Sequence, residues 1–229
     1  EGDFQVQSMD DESLYGPRAH TLSFAAAANK DIICRYRVVI SEIDKQMVDD
    51  FSRKNGITLV EGDEIEARWV SNLVALDQAI KKVGASKVIT FHSLVGRAQE
   101  FAKNEPRGIA HYLDGYDVRH VNGKQSSSAR SDTIGAFAAA PKGLITNARC
   151  LTEGVDIPAV DMVAFIDPRQ SRVDIVQAVG RTMRKPRGVS AKTVGYVLVP
   201  LFAGVDGEHL DEVIKTEKFD AIADVLNAL

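Results

Sequence analysis

The feature that most constrains the fold is an alternation. Short apolar runs that read as buried strands recur at residues 36–40 (YRVVI), 87–91 (KVITF), 118–121, 143–146 (GLIT), 161–166 and 192–199 (KTVGYVLV), and stretches with helical spacing separate most of them. Strands joined through helices by such short connections imply βαβ units and therefore a mostly parallel sheet with helices on its faces, an α/β fold. The clearest helix begins at residue 63. Ile65, Trp69, Leu73, Leu76, Ile80 and Val83 fall at steps of three or four and Gly84 ends the run, so one apolar stripe faces a core and Trp69 belongs to it. Shorter helices are expected over 25–30, over 94–104 ahead of Pro106, and after Ser126, Ser127 and Ser128, which supply N-caps for a segment carrying Arg130, Ile134 and Phe137. Residues 1–20 read as an irregular lead-in and 41–62 as loop with some helix. The alternation of Val194, Tyr196 and Leu198 suggests an edge strand, and a last helix is expected over 211–229.

Two stretches carry chemistry. Thr152-Glu153-Gly154-Val155-Asp156-Ile157-Pro158 is a turn-rich segment between apolar runs. Gln177-Ala178-Val179-Gly180-Arg181-Thr182-Met183-Arg184 lies where Val173, Val176, Val179 and Met183 recur at helical spacing, with Ser171 and Asp174 resembling a capping box ahead of it. Gln177, Arg181 and Arg184 stand at i, i+4 and i+7, so they share a stripe. An amide and two always-charged planar guanidiniums, with a small Gly180 between them, suit a polyphosphate approached from one direction. From Arg169 to Arg187 six basic residues face one acid, Asp174, a local +5 on a chain whose net charge is −4. Such a patch can hold phosphate on an acidic body, although a solvated helix face would show the same charges.

These residues resemble motifs V and VI of the superfamily 2 helicases and translocases, in which motif VI reads Gln-x-x-Gly-Arg-x-x-Arg. The wording is nearest to DNA translocases of the restriction-enzyme and excision-repair type, and the likeness runs from about residue 36 to 200. It implies a RecA-like three-layer sandwich, the second of two lobes. It also implies Arg181 and Arg184 as arginine fingers and Gln177 beside them, with Gly154 and Asp156 coupling the nucleotide to the strand-binding surface. Thr146 and Thr152 would touch nucleic-acid phosphates. The strand, His92-Ser93 turn and helix resemble motif IV, which makes Ser93 or Arg97 a contact. Gly123, Lys124 and Arg130 fall where related proteins touch the backbone, and helix N-termini bind phosphate readily. The plainer readings stand alongside: Gly154 as a tight turn, Asp156 and the serines as caps. In open parallel sheets, ligands are expected beyond the carboxyl ends of the strands.

The phosphate loop G-x-x-x-x-G-K-[ST] is absent, since Gly123-Lys124 is followed by Gln125, and Asp11-Glu12 and Asp211-Glu212 do not follow a hydrophobic strand as metal-binding acids would. ATP and Mg²⁺ are therefore expected to be held mainly by a first lobe outside this chain, and both chain ends read as cut. The expected division is a lead-in at 1–35, a lobe at 36–205 and a C-terminal helix at 206–229. Cys34 and Cys150 lie far apart, the five histidines make no ligand pair with a carboxylate, and no signal or membrane-spanning run appears. No metal site and a cytoplasmic setting are expected. The expected partners are the first lobe and nucleic acid, DNA by resemblance, with RNA left open. A RecA-like module that binds nucleic acid or a partner without motor function is the alternative. An unrelated doubly wound enzyme would leave Gln177, Arg181 and Arg184 unexplained.

Overall fold

A computed structural model describes residues 11–17, 19–20, 22–60, 62–148, 160–167, 172–185 and 193–203, and for residues 172–174 and 181 the backbone alone. In chain order the elements are α1 (Glu12–Tyr15), α2 (Phe24–Asn29), β1 (Arg35–Ile43), α3 (Lys45–Lys54), α4 (Glu64–Val83), β2 (Lys87–His92) and α5 (Val95–Phe101). A 3-10 turn at Ile109–Tyr112 leads to β3 (Asp117–Asn122), α6 (Ser127–Ala139), β4 (Gly143–Ala148), β5 (Met162–Phe165), α7 (Arg172–Thr182) and β6 (Val194–Phe202). The strands form one six-stranded sheet in the order β1-β6-β5-β2-β4-β3, and every pairing is parallel.

Each face of the sheet has its own core. On one face α6 and α7 bring Phe137, Ile175, Val179 and Met183 against Ile89, Phe91, Ile145 and Val197, with Phe24 of α2 packed at the margin. On the other, α3, α4 and α5 bring Val48, Leu73, Leu76 and Phe101 against Val88, Leu144, Met162 and Leu198. Successive strand residues point to opposite faces, so a strand buried on both is apolar nearly throughout. β4 and β5 are accordingly buried at every position.

Helix α4 forms where the stripe places it. The Asp63 carboxylate accepts from the Ile65 and Glu66 N–H groups, and Gly84 closes the helix at φ 66° in the left-handed region. Trp69 is core, its indole N–H donating to Arg107 O at 2.8 Å. Arg107 is in turn forked onto Glu66, and that hydrogen-bonded pairing raises its pKa.

Four expectations need correction. Residues 41–62 are more regular than their mixed composition suggests: β1 runs on to Ile43, and Asp44 caps the ten-residue α3 through the Met47 N–H. Residues 12–15 form a helical turn within the expected irregular lead-in. β6 is not an edge strand; it lies between β1 and β5, and half-buried Tyr196 packs against the core on one face. The buried face of α7 is Ile175, Ala178, Val179, Thr182 and Met183, with Val176 only half-buried. The expected helix at 211–229 and the Ser171–Asp174 capping pair lie outside the described residues and side chains. Among the described residues no helix is long and apolar enough to cross a membrane.

Candidate nucleotide and nucleic-acid surfaces

The candidate residues divide between the two ends of the sheet. At the carboxyl ends lie the turns after β2, β3 and β5. Ser93 follows β2, but its N–H and hydroxyl both donate to the Asp167 carboxylate, at 2.8 and 2.9 Å. A phosphate there would have to displace a carboxylate, so Ser93 shapes the turn. Beside it Arg97 and Arg68 flank a cleft of about 160 Å³ floored by Trp69, Asn72 and Ile166.

The turn after β3 is built from side chains. Asn122 Oδ1 accepts from the Lys124 N–H at 2.9 Å, and Gln125 Oε1 accepts from the Asn122 N–H at 3.1 Å. Ser126 then caps α6, its hydroxyl accepting from the Ala129 N–H at 3.2 Å. Lys124 is exposed and Arg130 half-buried. A Cβ added at Gly123 would meet nothing within 4 Å, and its φ lies outside the left-handed region. The fold itself does not require glycine there.

Thr146 is expected to touch nucleic-acid phosphates. It lies inside β4, fully buried, so its hydroxyl cannot reach a phosphate. Instead it meets His120 Nδ1 at 2.9 Å, while the Asn122 amide lies 3.1 Å from His120 Nε2. With the amide donating to Nε2, the imidazole proton sits on Nδ1 and Thr146 accepts it. Burial lowers the His120 pKa, the contact at Thr146 opposing it in part, so the neutral ring is favoured. His120 and Asn122 support the turn from behind, a role that only their shared face of one strand could have signalled.

The other group lies at the amino ends. α7 runs back along the sheet, and the Cys34 N–H donates to Met183 O at 2.9 Å, beside the starts of β1 and β6. Arg184 follows directly. The expectation that all ligand-facing residues gather at the carboxyl ends therefore fails for α7: Arg184 lies at the opposite end from Ser93 and Lys124, and the two ends are roughly 20 Å apart along six-residue strands. Gln177 is exposed on the face of α7 opposite its buried one, and Arg184, also exposed, lies two residues beyond the helix end. Gly180 lies between them, half-buried, with nothing within 4 Å of an added Cβ and no left-handed φ. Glycine inside a helix costs about 1 kcal/mol relative to alanine, and nothing within this fold calls for it. Thr152, Gly154 and Asp156 lie outside the described residues, as does the side chain of Arg181. Among the described residues no group of three or more His, Cys, Asp or Glu could hold a metal ion.

An all-parallel six-stranded sheet flanked by helices, with a polar helix face at one end and a basic turn at the other, defines a RecA-like α/β domain. The sequence matches the family described as Helicase conserved C-terminal domain over residues 71–186, half of its length, and the chain belongs to that family. An ATP-dependent RNA helicase of Candida glabrata is 28% identical over 150 residues, covering 66% of this chain and 27% of its own. A second, from Schizosaccharomyces pombe, is 30% identical over 135 residues, covering 59% and 21%. The chain thus spans about a quarter of the length of these curated relatives. Among solved structures, the ATP-dependent Type ISP restriction-modification enzyme LlaBIII bound to DNA superposes with a TM-score of 0.77 at 25% identity, over 98% of this chain and 16% of that one. A putative HsdR subunit of a type I restriction enzyme from Vibrio vulnificus shares the fold at a TM-score of 0.59 and 16% identity, over 95% and 41%.

Proposed function

We propose that this domain is the second lobe of an ATP-dependent motor that moves along nucleic acid. A first lobe would hold most of ATP and Mg²⁺ and face the amino-end surface of α7. The observation that carries the reading is the exposed Gln177 on α7 and the exposed Arg184 just past its end, on either side in sequence of a glycine that the fold does not itself need. That surface can admit the γ-phosphate closely. Arg181 and Arg184 would meet charge as it develops there, an effect worth roughly 10³ to 10⁵ in rate for an arginine finger, and Gln177 would orient the same region.

The carboxyl end would carry the strand. Gly123, Lys124 and the α6 N-terminus offer backbone amides and charge to phosphates, with Arg130 alongside; such contacts follow phosphate spacing and not sequence. Because β4 and β5 are parallel, the chain between them joins the two ends of the sheet. Thr152, Gly154 and Asp156 lie on that connection, and we assign it the coupling of nucleotide state to strand grip. DNA is favoured as the strand by the likeness to the Type ISP enzyme, which has the higher TM-score; the names of the relatives above favour RNA.

The test is ATP turnover by the full-length protein with single-stranded DNA, duplex DNA and RNA. Arg181→Ala and Arg184→Ala should each abolish stimulated turnover while leaving strand binding largely intact. Normal steady-state turnover in both would remove the finger assignment. Strand binding with no turnover by the unaltered protein would favour the non-motor module.

A further inference from the structure

The segment that carries Arg184 is tied to residues from the opposite end of the sequence, through backbone before it and through a side chain at the surface after it. Before it, the Cys34 N–H donates to Met183 O at 2.9 Å and the Cys34 thiol to Thr182 O at 3.5 Å. After it, the Lys185 ammonium donates to Asp31 O at 2.9 Å and also to the Asp31 carboxylate. Among the described residues Asp31 is the only non-glycine with a positive φ, at 60°. Its N–H donates to Ala28 O and the Ile32 N–H to Ala27 O, both at 3.0 Å, so Asp31 is fixed to the end of α2. Phe24 of the same helix packs on the cluster that contains Met183. Asp31 follows the C-cap of α2, and Asp enters the left-handed region more readily than most residues because its short polar side chain can bond locally.

We propose that Asp31 is a positioning residue for Arg184: the Asp31–Lys185 clasp and the Cys34–Met183 bond together mount residue 184 on the segment that leads into β1. This rests on the finger reading of Arg184. The physical point is preorganisation. A guanidinium stabilises developing charge best when its backbone needs no rearrangement, and a misplacement of about 1 Å can cost up to roughly a hundredfold in rate. Met183 is fixed through its backbone and Lys185 through its ammonium, so the reach of residue 184 depends on where the incoming segment sits. A shift of that segment against β1 would be transmitted to the arginine.

The experiment uses full-length protein and reads strand-stimulated kcat, KM for ATP and strand affinity. Asp31→Gly removes the carboxylate while retaining easy access to the left-handed backbone. It should lower kcat about three- to fivefold, the scale of an exposed ion pair, with KM and strand affinity within about twofold. Lys185→Met should do the same, the double variant should be no worse than either single one, and Lys185→Arg should keep most of kcat. Unchanged kcat in Asp31→Gly, or a loss shared equally with ATP or strand affinity, would overturn the clasp. Arg184→Ala in the same assay separates the two readings. If it keeps turnover, Arg184 is not a finger and the proposal has nothing to position. If it is inactive while Asp31→Gly is normal, only the clasp fails.

Discussion

Gly195→Ala tests whether α7 is seated as closely on the sheet as the amino-end surface requires. Gly195 is the second residue of β6, in register with Tyr36 of β1. A Cβ there would lie 2.6 Å from Thr182 O and 3.1 Å from Thr182 C. Ordinary contact begins near 3.4 Å, so some 0.8 Å has to be found, and the group in the way is a helix-end carbonyl, not the tip of a flexible side chain. Thr182 is fully buried, and its hydroxyl donates to Val179 O at 2.8 Å. The end of α7 would have to lift. Overpacking of this kind costs about 1–3 kcal/mol. At roughly 2–4 °C per kcal/mol for a chain of this size, Tm should fall by about 2–12 °C. Gly135→Ala is the counter-experiment: it is exposed, inside α6, with nothing within 4 Å of an added Cβ, and it should stabilise by about 0.5–1 kcal/mol. Both are read by thermal and urea unfolding of the 229-residue chain. A Gly195→Ala protein as stable as the unaltered one would mean that α7 does not close on β6 at this distance, and the reasoning would fail.

The Lys87 ammonium donates to Phe137 O, Ala138 O and Ala140 O, capping the C-terminus of α6 beside the Phe137 ring. Burial lowers its pKa, with Asp161 and Asp117 pulling the other way. Lys87→Met keeps the stem and removes the donors, so it should cost about 1.5–3 kcal/mol by urea unfolding; a loss below about 0.5 kcal/mol would count against the cap. His120 should give a pH slope. Its folded-state pKa is depressed, so between that value and the ordinary histidine value of about 6.5 the unfolded chain binds more protons. The contribution is fully present above pH 6.5 and is lost as pH falls through the folded pKa. His120→Gln should flatten stability between pH 7 and 5, and an identical slope in that variant would refute the assignment.

The sheet's strands and the long helix were legible because their signals are local. Asp63, the stripe through Leu73 and Leu76, and Gly84 at φ 66° specify α4 without reference to anything distant. Strand order was not legible. The alternating Val194, Tyr196 and Leu198 look like an edge until β1, far away in sequence, is found beside β6. Thr146 illustrates a second limit. A hydroxyl beside a turn-rich stretch reads as surface, but its partner is His120 on the neighbouring strand, and only pairing between β3 and β4 reveals it. The α7 pattern gave the helix but blurred its inward face, since valines at 173 and 176 compete with Ile175 and Ala178 for that reading. The separation of Arg184 from Lys124 follows from the direction in which α7 runs, which no motif encodes.

The pairing of β1 with β6 also governs how the lobe is made. Val194 is 159 positions after its partner Arg35, so the first strand cannot find its place until nearly the whole lobe has been synthesised. At about 5–20 residues per second that interval is roughly 10–30 s, during which the alternating apolar side chains of β1 are without their parallel neighbour. Folding should be slow and dominated by this closure, and a nascent chain halted before residue 194 should expose a strand that a chaperone can hold.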